Sequence, residues 1–124
     1  MLTGKKIVLG VSGGIAAYKM ANVASMLSKL HADIHVVMTE NATHFITPET
    51  FEVLTGNHCY TDTFDRCMEL HVPHIALGTQ ADAILIAPAS ADVVGKIANG
   101  IADDMLTTCV LPATCPVMLA PSMN

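Results

Sequence analysis

The stretch Lys5-Lys6-Ile7-Val8-Leu9-Gly10-Val11-Ser12-Gly13-Gly14-Ile15 decides the fold. Lys5 to Val11 reads as a strand, and its continuous apolar stretch Ile7 to Val11, with β-branched Ile7, Val8 and Val11, is the signature of burial on both faces of a parallel sheet. At Ile15 the period changes to helical. Ala16, Met20, Val23, Leu27 and Leu30 recur at spacings of 4, 3, 4 and 3, with Lys19 and Lys29 off the stripe. A buried strand that turns through Ser12-Gly13-Gly14 into an amphipathic helix begins a parallel β-α-β unit.

The pattern repeats along the chain. Asp33 to Thr39 reads as a second strand, and Thr47-Pro48-Glu49 as the N-cap, first residue and first-turn acid of a short helix ended by Gly56. His58 to Thr61 reads as a short third strand. Asn57 to Gln80 is the least regular segment, long enough to be a binding loop. Ala81 to Ala87 is the fourth strand, Ser90 caps a helix to Ala98 closed by Asn99-Gly100, Asp103 caps a helix through Leu111, and Pro116 to Ala120 is the fifth strand. The expected fold class is α/β: a doubly wound parallel sheet, Rossmann-like or flavodoxin-like, in three layers.

Ligands on such sheets bind beyond the carboxyl ends of the strands, where Ser12, Thr39, Ala89-Ser90 and Asn124 all fall. Gly10-Val11-Ser12-Gly13-Gly14 opens a helix, so its backbone N–H groups can face an anion. It is not G-x-G-x-x-G, and the second strand ends in Thr39 where a dinucleotide site wants an acid for the ribose. A hydroxyl suits a terminal phosphate, which favours a mononucleotide over NAD. The alternative is that the glycines only make a tight turn. Ser90 reads as a helix cap, a role that still lets a planar ring approach the small residues Ala89-Ser90. Phe45, one of five aromatic residues, is either a core side chain or a ring-stacking partner.

His71 and His74 have metal-like spacing, but Pro73 lies between them and no carboxylate or thiolate is spaced to complete a zinc site, so no metal is expected. His74 precedes the apolar Ile75-Ala76-Leu77 and reads equally as a hydrogen-bonded core histidine or a catalytic one.

The bulk numbers bound the rest. At 124 residues a single domain is expected, and 52% hydrophobic against 14% charged residues leaves apolar surface for subunit contacts. A net charge of −5 with six Lys and Arg carries no footprint for nucleic acid. The longest apolar run, Ala83 to Ala89, falls short of the roughly 20 residues of a membrane helix, and Ser12-Gly13-Gly14 breaks the only signal-peptide-like run, so no membrane association is expected. Cys59, Cys67, Cys109 and Cys115 show no C-x-x-C spacing, and a reducing cytoplasm is the expected location.

Taken jointly, Val8 to Lys19, His74-Ile75, Ala87-Pro88-Ala89-Ser90-Ala91-Asp92, Lys96 to Leu106 and Pro121-Ser122-Met123-Asn124 resemble the flavin-containing cysteine decarboxylases, in order and over essentially the whole chain. The resemblance implies FMN held by Ser12, Gly13, Gly14, Thr39, Phe45, Ala89 and Ser90, with His74 and Asn124 at the substrate, a small phosphorylated cysteine conjugate. In that family the cysteinyl thiol is oxidised to a thioaldehyde, whose C=S is the electron sink for decarboxylation. The enethiolate left behind is then reduced, so there is no net redox change. A histidine can manage the thiol proton or hold the carboxylate, while an asparagine offers donor and acceptor without charge. The resemblance also implies a homotrimer or homododecamer.

Within the same resemblance, a peptidyl-cysteine decarboxylase and a flavin prenyltransferase are the enzyme alternatives, the His-Ile and Pro-x-Met-Asn elements disfavouring the latter. A flavin-binding regulatory subunit is the non-enzyme alternative, but such relatives bear acidic extensions. The family pattern continues past the asparagine with a second methionine and a flap carrying a reductive cysteine. The expectation is therefore one flavoprotein domain, residues 1–124, lacking its C-terminal flap, with none of the four cysteines in the flap cysteine's role and FMN bound without complete turnover.

Overall fold

The computed structural model describes residues 1–64 and 73–122, so His71, Cys67 and Asn124 lie outside the described residues. Four strands, β1 (Lys6–Val11), β2 (Asp33–Met38), β3 (Ala83–Ala89) and β4 (Val117–Pro121), form one parallel sheet in the order β2-β1-β3-β4. The helices are α1 (Met20–Lys29), α2 (Pro48–Thr55), α3 (Pro73–Gln80), α4 (Ala91–Ala98) and α5 (Met105–Val110).

Side chains alternate across each strand and so build two cores. Leu9, Val11, Ile34, Val36 and Met38 pack with Ala17, Ala24 and Phe51 on the α1–α2 face. Val8, Val37, Ile84 and Ile86 pack with Leu77, Val93, Met105, Leu106 and Cys109 on the α3–α5 face. Each fully buried large side chain contributes about 1.5–3 kcal/mol relative to exposure. The three-layer doubly wound architecture is the one the periodicity predicts.

Several local expectations shift. The chain after Gly14 first makes a 3-10 turn, Ile15–Lys19, before α1. Three residues per turn in place of 3.6 rotates the register, so Ala17 and Ala24 are the buried positions, flanked by Met20 and Leu27. The third strand is reduced to Tyr60, which bridges Val37 in parallel, donating to the Val36 carbonyl at 3.0 Å and accepting from Met38 N–H at 2.8 Å. Glu52 holds that segment in place, accepting from Cys59 N–H at 3.0 Å and facing His58 Nδ1 at 2.8 Å.

The expected loop from Asn57 to Gln80 contains α3, which begins at Pro73. Proline's fixed φ and missing N–H suit a helix's first turn, so Pro73 starts the helix that it would break from inside. Asp104, not Asp103, caps α5. Its carboxylate accepts from Thr107 N–H at 2.8 Å, and Thr107 Oγ1 accepts from Asp104 N–H at 3.2 Å, a reciprocal capping box. Thr47 sits at the N-cap of α2 without a side-chain cap, its hydroxyl meeting that of Thr50 at 3.1 Å.

Two glycines bring elements into contact. A Cβ on Gly10 would lie 2.5 Å from Leu106 Cδ1, and one on Gly78 would lie 2.2 Å from the Cys109 carbonyl oxygen. The second contact is with backbone and cannot relax by a rotamer change. Gly95, inside α4, has nothing within 4 Å of its missing Cβ. Gly78→Ala is therefore expected to cost about 1–3 kcal/mol or more by forcing α3 off α5. Gly95→Ala is expected to gain about 0.5–1 kcal/mol by helix propensity. Urea unfolding of the two variants checks the opposite signs.

Candidate functional site

The strand order reverses direction at β1, whose neighbours are β2 on one side and β3 on the other. Such a switch point opens a crevice at the carboxyl ends. The parallel register brings the ends level, pairing Val11 with Met38 and Gly10 with Ile86. A cleft of about 370 Å³ opens there, lined by Gly13, Thr39, Glu40, Asn41, Ser90, Asp92, Val93, Lys96, Asp103 and Asp104. A second hollow of about 520 Å³ shares Glu40, Asp103 and Asp104 with it and runs on past Thr43, Thr61, Phe64 and Met105.

The turn after β1 supplies backbone donors. A Cβ on Gly13 would lie 2.5 Å from Asn41 Cβ, so only glycine lets this turn close on the loop after β2. Gly14 is extended, at φ −177°, and the nearest atom to its missing Cβ is Pro88 Cγ at 3.9 Å. Packing does not demand a glycine there. Among the described residues nothing accepts from the N–H of Gly13 or Gly14.

The two hydroxyls that line the cleft keep a proton to give. Thr39, 8% exposed, accepts from Ala42 N–H at 3.2 Å. Ser90 accepts from Val93 N–H at 3.4 Å as the cap of α4. No acceptor takes either proton among the described residues, although a hydroxyl can donate while it accepts. The helix-cap reading of Ser90 is thus right and leaves its O–H available.

The same lining is charged. Lys96 Nζ lies 3.2 Å from Asp92 and 3.2 Å from Asp103, and hydrogen bonds to Asp103 and Asp92 hold its pKa above the ordinary lysine value. Asp104 is occupied by the α5 cap. Glu40, Asn41, Asp92, Val93 and Lys96 were not singled out as ligand-facing in the sequence. Only the i,i+4 spacing of Asp92 and Lys96 signalled one of their pairings.

The other candidate residues stand apart from this lining. Ser12 is fully buried behind the cleft and Ala89 is fully buried in β3. Phe45 is 46% exposed, so it is not the core side chain that was one reading of it, and neither hollow is lined by it. The backbone of His74 lies in the first turn of α3.

Donors without acceptors fit a terminal phosphate. The long contiguous hollow, with small residues at the β3 turn, fits the rest of a flavin mononucleotide.

Fold and cleft define an α/β domain of flavodoxin-like type with a cleft at the strand switch point. The chain belongs to the flavoprotein family, whose model matches residues 1–124. It is 49% identical, over all 124 residues, to the coenzyme A biosynthesis bifunctional protein CoaBC of Bacillus subtilis strain 168, of which it spans 30%. It superposes on the crystal structure of the FMN-dependent cysteine decarboxylase SpaF with a TM-score of 0.91 and 37% identity, covering 100% of this chain and 71% of that one. A PPC decarboxylase variant complexed with pantothenoylaminoethenethiol gives a TM-score of 0.81 and 31% identity, covering 97% of this chain and 68% of that one.

The buried thiols are not nucleophiles. Burial, then Glu52 and Glu49, pushes Cys59 up to about 12, and burial, then Asp104, pushes Cys109 up to about 12. Both stay protonated at neutral pH. An acid whose folded pKa is raised adds stability below its ordinary pKa and loses it as pH climbs through the folded value. Iodoacetamide at pH 8 is therefore expected to modify the partly exposed Cys115 well before Cys59 or Cys109, and the urea midpoint to fall from about pH 9 towards 12. Peptide mass mapping and unfolding at stepped pH check both.

Proposed function

We propose that this chain is the FMN-binding domain of a phosphopantothenoylcysteine decarboxylase, which converts 4'-phosphopantothenoylcysteine to 4'-phosphopantetheine in coenzyme A biosynthesis. The observation that carries the reading is the set of uncommitted donors at the β1/β3 switch point: Gly13 N–H, Gly14 N–H and the hydroxyls of Thr39 and Ser90. Thr39 closing β2 supports a mononucleotide over a dinucleotide. Higher identity to the coenzyme A relative, 49%, than to the peptidyl-cysteine decarboxylase EpiD, 26%, supports the phosphorylated small-molecule substrate over a peptide. Because the chain spans only part of the curated relative, the whole activity is part of the proposal.

FMN, when bound, supplies hydride transfer from and back to the substrate's sulfur-bearing carbon. The chain's own residues do the rest. Gly13, Gly14, Thr39 and Ser90 hold the phosphate, and the small Ala89 lets the ring system approach the end of β3. Phe45 is assigned to the exposed ring edge. His74 takes the thiol proton or holds the substrate carboxylate, and the Asn124 amide donates to that carboxylate without bringing a charge. Lys96 offsets one of the two negative charges of Asp92 and Asp103 beside the anionic ligand.

The reading extends to a homotrimer or homododecamer acting in the cytoplasm. Ile15 at 73% and Val53 at 84% exposure, with Tyr18 and Met26, give the α1–α2 face an apolar character that suits subunit contact. None of the helices among the described residues is long and apolar enough to cross a membrane.

The purified chain is expected to take up FMN and turn yellow. Gly14→Asp should keep the far-ultraviolet circular dichroism of the parent, since no atom lies closer than 3.9 Å to the new Cβ, yet lose FMN affinity at least 10-fold through charge repulsion. A Gly14→Asp variant that stays fully yellow would refute the phosphate assignment.

His74→Asn should retain FMN and melting temperature while slowing carbon dioxide release from 4'-phosphopantothenoylcysteine by about 10²–10⁴-fold. A lower melting temperature with undiminished activity per flavin would return His74 to a structural role.

A further inference from the structure

Ser12 is the residue of the first turn whose side chain does not reach the cleft. It is fully buried. Its hydroxyl donates to the Pro88 carbonyl and accepts from Ser90 N–H at 2.9 Å, while its own N–H donates to the same Pro88 carbonyl at 3.3 Å. One side chain therefore uses donor and acceptor capacity on the two peptide groups that flank Ala89, where β3 ends and the turn begins. At the end of β3 the ladder is irregular: Pro88 has no N–H to give, and the β3–β4 register shifts between Ile86 and Ala89.

From this geometry we infer that Ser12 is a positioning residue. Its buried hydroxyl latches the turn after β3 to the turn after β1, so that Ser90 and the Gly13–Gly14 amides present their free protons to one anion. The inference rests on the flavin reading and assigns Ser12 a different part in it: not a ligand of the phosphate, but the group that fixes where the ligands stand.

The alternative is that Ser12 fills a buried site and matters only for stability. The two differ in what happens when the hydroxyl goes but the fold remains. Without the latch, Ser90 N–H and Pro88 C=O lose their partner, and both groups sit where water does not readily replace it. The turn then samples other positions, and an anion must order it on binding, which costs affinity. A loss of global stability alone does not reorder one turn at temperatures well below melting.

Amide exchange and FMN titration, both below the melting range, separate the readings. In the wild-type chain the Ser90 amide is expected to be protected without ligand, exchanging far more slowly than the exposed Gly4 amide, which has no acceptor among the described residues. Ser12→Ala should accelerate Ser90 exchange by 10-fold or more, leave strand amides such as that of Leu85 unchanged, and weaken FMN binding by 10-fold or more. Ser12→Thr, which restores the hydroxyl, should recover both. Ile34→Val, at the far end of β2, serves as a control that lowers stability without touching the turns.

The latch is overturned if the wild-type Ser90 amide exchanges as fast as that of Gly4, a result that needs no variant to fold. It is equally overturned if Ser12→Ala binds FMN like the parent, or if Ile34→Val weakens FMN as much at matched loss of stability. A wild-type chain that takes up no FMN would overturn the flavin reading and the role of Ser12 with it, whereas wild-type binding with an unaffected Ser12→Ala variant would remove the latch alone.

Discussion

Everything in this fold is hung on β1, which is hydrogen-bonded on both edges and covered on both faces. Its pairing with β2 runs from Lys6–Asp33 to Val11–Met38, and with β3 from Ile7–Ala83 to Gly10–Ile86. Both ladders are parallel, so the register that aligns the apolar cores also brings the chain's turns out at one level. A slip of one residue would send Leu9 and Val11 to the wrong core and part Ser12 from Ser90. Gly10 adds a third restraint, because Leu106 of α5 occupies the space that any larger residue would need. The cleft is in this sense a by-product of core packing: the same register that buries Ile86 and Met38 brings Gly13 and Thr39 to one lining.

The strands and most helices were legible because their signals are local. A continuous apolar run, a change of period at Ile15, and Pro48 and Gly56 bracketing α2 all act over a few residues. What escaped was set by contacts distant in sequence. The first turn is 3-10 and moves the buried stripe from Ala16 to Ala17, a shift of one residue that no periodicity count resolves. Tyr60 pairs with β2 only because Glu52, on a preceding helix, anchors the intervening backbone. The choice of Asp104 over Asp103 as the α5 cap depends on which carboxylate Lys96 claims first. At the site, Gly13, Thr39 and Ser90 could be named from turn chemistry alone, whereas Glu40, Asn41 and Lys96 reach the cleft through tertiary approach.

The cleft's charge makes sense only when each carboxylate is followed to its partner. Glu40, Asp92, Asp103 and Asp104 against Lys96 look hostile to an anion. Yet Asp104 is spent on the α5 cap, and Asp92 and Asp103 share one ammonium. Those pairs are partly exposed and add little stability. Their effect is on the local field, since Lys96 offsets one of the four carboxylate charges lining the cleft and its two partners hold it protonated. The donors themselves are uncharged, although Glu40 and Asp92 lie close to Thr39 and Ser90 in the chain and line the same cleft. These donors are amides and hydroxyls whose hydrogens a helix start and a tight turn leave unpaired in any case.

That economy explains why the fold loses little by keeping such a site. Buried polar groups are costly when unpaired, but Thr39 and Ser90 each satisfy a backbone N–H of the protein and hold back only the hydrogen of the same oxygen. Thr39 supports the turn at Ala42 and Ser90 caps α4, so neither side chain is present for ligand alone. Ser12 is the limiting case, with both of its valences committed and nothing left for a ligand. The three hydroxyls therefore form a gradient from purely structural to half available, ordered by burial from Ser12 at 0% through Thr39 at 8% to the more open Ser90. A residue can carry function here in proportion to the hydrogen-bonding capacity that the fold leaves unspent, and that capacity is readable only once every partner has been placed.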